Sequence, residues 1–203
     1  MMIYKSLPAA LKERESVEAL KLNLKGAKFP PEMLDFPKLT ELYLEGNCEE
    51  FPEIKNSWRE LKVLSIKWPA FTGDLSSIFT LPAVENVKII ETPLKRFFLP
   101  LGFTSSTLSS LTVKDGGMLN LPEEISMITG LTELNLSGNE LSRLPQSFPT
   151  LKNLRRLNLD RNKFSKFPDM VKTMPSLTHL SIDGNCFSED EKERIQRQFH
   201  LWL

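Results

Sequence analysis

Thiol catalysis needs a cysteine within reach of a basic imidazole. This chain has two cysteines, Cys48 and Cys186, and two histidines, His179 and His200. His179 and Cys186 stand seven residues apart, the one pair close enough in sequence to be weighed as a Cys–His dyad. A strand histidine facing water and a small turn cysteine account for both without catalysis. Neither histidine sits in an HExxH setting, and the chain has no GxxxxGK[ST] or GxGxxG stretch. Two cysteines make neither a disulfide framework nor a metal quartet. No catalytic residue, no metal site and no cofactor is therefore expected. Asn135-Leu136-Ser137 matches the glycosylation triplet but falls inside a predicted strand, and reads as accidental. What remains is recognition chemistry: the spaced lysines Lys67, Lys88 and Lys114, with Tyr43, Trp68 and Ile90 and the carboxylates of Glu41 and Glu45 nearby in the pattern.

The elements that position these residues come from a repeat. LTELNLSGNELSRLPQSFPTLKN (131–153) and LRRLNLDRNKFSKFPDMVKTMPS (154–176) share the skeleton LxxLxLxxNxΦxxΦPxxΦxxΦxx. Its first position falls on Val17, Leu39, Leu61, Val84, Leu108, Leu131, Leu154 and Leu177, so eight frames of 22 to 24 residues run from 17 to 187. The period-two end of LxxLxL predicts a short strand with one buried face. Three residues later come Asn47, Asn139, Asn162 and Asn185, whose amides can satisfy backbone groups of neighbouring loops. The following Φ-Pro breaks the strand, because proline donates no ladder hydrogen bond. Pairs such as Phe148/Leu151 and Ile125/Ile128 have the spacing of a single 3₁₀ or helical turn. Frame one has Lys25 in the asparagine place, and frames three to five have Pro69, Thr92 and Gly116.

This skeleton resembles the leucine-rich repeat, and its LPxxΦxxL form is similar to repeats of many bacterial proteins and of some intracellular plant and animal ones. The resemblance implies an α/β fold: a curved right-handed solenoid with a parallel concave β-sheet, and loops or 3₁₀ turns on the convex side. Residues 1–16 read as an N-terminal cap, with Ser6 before Leu7-Pro8 as N-cap and Leu7 and Leu11 on one face of a short helix. Residues 188–203 read as a C-terminal cap helix, with Ser188 to Glu191 as capping box and Ile195 and Phe199 as its apolar stripe. Bacterial proteins of this kind have similar helices at both ends, so the resemblance implies one free-standing domain, 1–203.

Twenty-six basic and 26 acidic residues cancel to a formal charge of zero. Such a chain has no global field to draw it to nucleic acid or anionic lipid. The longest apolar run, FFLPLGF, is far shorter than a membrane span. No signal peptide is visible, and the cysteines are few, so the expected location is cytoplasmic. Secretion by a route without a visible signal is the alternative.

In such a solenoid the variable residues between the leucines form a grid on the concave face. Lys67, Lys88 and Lys114 fall on three successive coils, about 5 Å apart per coil. They read either as a basic stripe for an acidic partner segment or as solvated lysines. Tyr43, Trp68 and Ile90 add bulk beside them, bordered by Glu41 and Glu45; Trp68 alternatively folds over to shield a coil lacking its asparagine. Arg156, Asp160, His179 and Asp183 form a secondary candidate of mixed charge. In LKRFFLPLGF (94–103) the frame puts Leu94, Phe97 and Leu101 inside and Lys95 and Arg96 in water. Phe98 and Phe103 either fill a wider convex core or form a second, convex contact patch. The expected function is a non-enzymatic, monomeric scaffold that binds a protein partner through the concave face of coils two to five. The alternatives are an exported bacterial effector that binds a host protein, and an enzyme with its site in frames three to five.

Overall fold

Each period-two stretch becomes a strand, and each strand lies beside the one before it. The computed structural model describes residues 1–26, 28–54, 56–94, 97–100 and 102–199, with Phe199 described by its backbone. Lys95, Arg96, Leu101 and His200 lie outside the described residues, so the expectations placed on them go no further. The strands are β1 (Ile3–Tyr4), β2 (Ala19–Leu24), β3 (Glu41–Gly46), β4 (Val63–Lys67), β5 (Asn86–Ile90), β6 (Ser110–Lys114), β7 (Glu133–Asn135), β8 (Arg156–Asn158) and β9 (His179–Ser181). They form one nine-stranded sheet in sequence order, every neighbouring pair parallel. The return paths carry five 3₁₀ turns, at Pro31–Leu34, Ser76–Thr80, Glu123–Met127, Phe148–Thr150 and Asp169–Thr173. Helices α1 (Leu7–Leu11) and α2 (Glu189–Phe199) flank the sheet. The architecture is the expected right-handed solenoid with one strand more than the frames supply. Ile3–Tyr4, read as part of a helical cap, pairs in parallel with Ala19–Leu20.

Alternation decides what is inside. Leu20, Leu42, Leu64, Val87, Leu111, Leu134 and Leu157 stack along the sheet, buried at every step. Behind them the buried pairs Ile125/Ile128 and Phe148/Leu151 hold the 3₁₀ turns against the core, at the spacing read from the sequence.

The asparagines join coil to coil. Asn162 donates through Nδ2 to the carbonyls of Leu159 (3.0 Å) and of Leu136 in the preceding coil (2.9 Å), and accepts from Leu141 N–H at 3.0 Å. Asn139 does the same with Leu136 and Val113, and accepts from Gly116 and Met118 N–H. Asn185 serves Ile182, Leu159 and Phe164. Asn47 breaks the series. It is exposed, and its neighbour Cys48 is buried with Sγ 3.5 Å from the Gly26 carbonyl. β3 runs on to Gly46, whose φ of 121° carries the chain one residue further before it turns inward. In the irregular coils Thr92 substitutes for the amide, accepting from Trp68 N–H and donating to the Ile90 carbonyl.

Trp68 itself is fully buried, which corrects its assignment to the binding face. It continues the inward alternation of Leu64 and Ile66. With Pro69 in place of asparagine the coil has no amide plug, and the indole fills the gap against Phe29, Phe51 and Phe71 at centroid distances of 5.8 to 6.4 Å. Its Nε1 has no partner among the described residues.

At the caps, Ser6 makes no side-chain cap hydrogen bond, and α1 has Pro8 in its first turn. Only half of the expected capping box forms: Ser188 Oγ accepts from Glu191 N–H at 3.2 Å. The Glu191 carboxylate reaches across to the preceding coil, accepting from Phe167 N–H at 2.8 Å and from both Nε and Nη2 of Arg194. Ile195, on the apolar side of α2, is buried.

Candidate functional site

The register turns the concave face into three columns of side chains. Column one runs Ala19, Glu41, Val63, Asn86, Ser110, Glu133, Arg156, His179, each residue paired with the next. Column two runs Lys21, Tyr43, Ser65, Lys88, Thr112, Asn135, Asn158, Ser181. Column three contains Glu45 and Lys67, paired across β3 and β4, and Ile90 and Lys114, paired across β5 and β6.

The columns divide the three lysines of the expected stripe. Lys67 and Lys114 belong to column three and Lys88 to column two, so the cations do not line up strand by strand. Lys67 Nζ is 2.7 Å from Glu91, and Lys114 Nζ is 3.6 Å from Asp115. Both carboxylates sit on left-handed residues just past their strands, with φ of 48° and 54°. Like charges at strand spacing repel, and a carboxylate at each strand end relieves that repulsion. Among the described residues Lys88 is the one lysine of the three with no carboxylate partner.

The other first-choice residues are also engaged with neighbours. Tyr43 donates to Glu41 at 2.9 Å, and burial followed by that hydrogen bond pushes the phenol pKa up. Glu45 pairs with Lys21 at 3.4 Å, and Ile90 is half-buried in column three. These pairs are half-exposed and individually weak. They occupy the charges of coils one to three.

The open part of the face lies further along. A groove of about 830 Å³ crosses β5 to β9, lined by columns one and two from Asn86 and Lys88 to His179 and Ser181, with Leu177 and Leu180 at its end. Of the secondary residues Arg156 and His179 line it, and Asp160 and Asp183 stand beside it just past β8 and β9. Arg156 is 3.5 Å from Glu133, and His179 Nδ1 is 2.9 Å from the Thr178 hydroxyl, its hydrogen-bond partner in place of Cys186. Asp160 accepts from the Ser181 hydroxyl at 2.7 Å and from Asp183 N–H at 2.8 Å. Asn135 and Asn158, read in the sequence as polar background, form the floor of the groove. Their Oδ1 atoms accept from Ser137 and Asp160 N–H, at 3.0 and 2.9 Å. That Asx-turn geometry was signalled by asparagines at the strand ends.

Phe98 and Phe103 part company. Phe103 is partly buried against the core with its ring 5.6 Å from Phe79, whereas Phe98 is 57% exposed. Phe98 edges a second hollow of about 520 Å³ between the loops that follow β4 and β5. Cys48 is buried, which raises its thiol pKa, and Cys186 is exposed. Among the described residues no three His, Cys, Asp or Glu side chains are grouped to hold a metal, and no helix is long and apolar enough to cross a membrane.

The leucine-rich-repeat family model matches residues 106–164 and, in a second register, 129–187. The Disease resistance-like protein DSC1 of Arabidopsis thaliana is 30% identical over 155 residues, covering 68% of this chain and 12% of that protein. An internalin from Listeria monocytogenes superposes with a TM-score of 0.69 at 17% identity, over 91% of this chain and 53% of that one. A structure of the Drosophila Toll–Spatzle complex gives 0.70 at 20% identity, over 91% and 27%. This chain thus spans a minor part of DSC1 and about half of the internalin. Repeats, asparagine ladder and sheet agree with the family match: the fold is a leucine-rich-repeat solenoid, and residues 106–187 carry the family's own repeat pattern.

Proposed function

We propose that this chain is a non-enzymatic scaffold that binds a partner protein on its concave face, with the groove over β5 to β9 as the centre of contact. The observation that carries this reading is the division of labour along each strand. One set of residues is spent on the core, and the alternating set stands free in register across the sheet. Leucine-rich-repeat domains typically mediate protein–protein interaction, and Toll was solved in a complex with Spatzle. Two free thiols suit action in a reducing compartment such as the cytoplasm. The test is a photo-crosslinking residue placed at Thr112 in the groove or at Lys152 on the opposite side. Adducts from position 112, competed by excess native protein, are expected. Adducts from 152 alone would refute the reading.

A further inference from the structure

Resting on the reading that this face binds protein, we infer that the column-two row Lys88, Thr112, Asn135 and Asn158 recognises side-chain carboxylates on an acidic polypeptide segment. The argument is a balance of donors and acceptors. Ser137 and Asp160 N–H can only donate, so Asn135 and Asn158 must turn their oxygens to the backbone. Their Nδ2 groups are left facing the groove with no partner among the described residues. Lys88 adds an uncompensated ammonium in the same column, and Glu133, the groove's own carboxylate, is held by Arg156 at 3.5 Å. The row therefore offers unspent donors while the amide oxygens of Asn135 and Asn158 are committed. Its members are one strand apart from Lys88 to Asn158, about 4.8 Å per step.

Asp160 and Asp183 stand in column three beside β8 and β9, where they repel acidic groups. Carboxylates are thereby steered to the β5–β7 end of the row, which gives the segment a preferred direction. A single uncompensated lysine is too little charge for a phosphodiester backbone, whose binding scales with the number of phosphates neutralised.

The test is a random-peptide display library selected on the full chain, with three variants as counter-screens. Asn135→Asp with Asn158→Asp keeps the oxygen that each Asx turn requires and replaces the donors with charge. Thr112→Trp fills the groove whatever the ligand, and Lys88→Gln removes the ammonium. The inference expects selected peptides rich in Asp and Glu, lost on Thr112→Trp, and weakened about tenfold or more by the double Asp variant at an unchanged melting point. Peptides lost on Thr112→Trp but poor in acidic residues and indifferent to the Asp variant would overturn the inference and leave concave binding standing. Peptides indifferent to Thr112→Trp, or no enrichment at all, would overturn both. Preferential binding of an oligonucleotide of mixed sequence over every selected peptide would also overturn it.

Discussion

Replacing Asn162 with alanine isolates the contribution of one rung of the asparagine ladder. Asn162 is 2% exposed, so no water can take over its bonds. The carbonyl of Leu136 keeps a second donor, Asn139, and that of Leu159 keeps Asn185. Each of those losses costs about 0.5 to 1 kcal/mol. Leu141 N–H has Asn162 Oδ1 as its one partner among the described residues, and orphaning a buried donor costs about 1 to 3 kcal/mol. The sum is about 2 to 5 kcal/mol, a fall of about 6 to 15 °C in melting temperature for a chain of this size. Asn162→Thr is the control, because Thr92 already does this work in the fourth coil by accepting from one N–H and donating to one carbonyl. Urea unfolding monitored by circular dichroism should show Asn162→Thr losing about half as much as Asn162→Ala. An alanine cost below about 0.5 kcal/mol, or a threonine as damaging as alanine, would refute the ladder as a source of stability.

Arg194 and the Phe167 N–H hold the Glu191 carboxyl at a pKa of about 2, against the opposing effect of burial. A carboxyl depressed in the folded state stabilises above its unfolded pKa and loses that contribution as pH falls toward the folded one. Acid unfolding between about pH 4.5 and 2 should therefore flatten in Glu191→Gln, as followed by melting temperature against pH. Phe103→Ala should destabilise by about 1 to 3 kcal/mol through lost packing on Phe79, while Phe98→Ser should change stability by less than about 0.5 kcal/mol, both read by urea titration. In the native protein a thiol reagent such as DTNB should label Cys186 at once and reach Cys48 only on unfolding, counted by released chromophore.

The repeat was legible because each of its letters has its own physical cause. Leucines at period two, an amide after the strand and a proline beyond it can be aligned by eye wherever all three survive, as in frames six and seven. Where the asparagine is missing, local spacing cannot say what replaces it. Thr92 needed Trp68 N–H from 24 residues away, and Trp68 needed the rings of Phe29 and Phe51 from other loops beside Phe71 of its own. Cys48 displaced Asn47 because β3 ran one residue longer, a choice made by the turn at Gly46 rather than by the strand pattern. The candidate site was less legible for a related reason. The sequence shows that Lys67, Lys88 and Lys114 recur, but not that Glu91 and Asp115 sit at strand ends to neutralise two of them. Asn135 and Asn158 were visible as outward residues, and which end of each amide faces out depends on the turn that follows.

The asparagine ladder also gives the stack a direction. Asn139, Asn162 and Asn185 each complete the backbone of the coil before their own, and Glu191 of α2 does the same for Phe167. Peeling the solenoid from its α2 side therefore strips the acceptors from fixed backbone N–H groups of the coil left behind. Peeling from the β1 side leaves side-chain amides, which are free to rotate toward water. The two ends, built from the same repeat, should therefore unravel against different barriers.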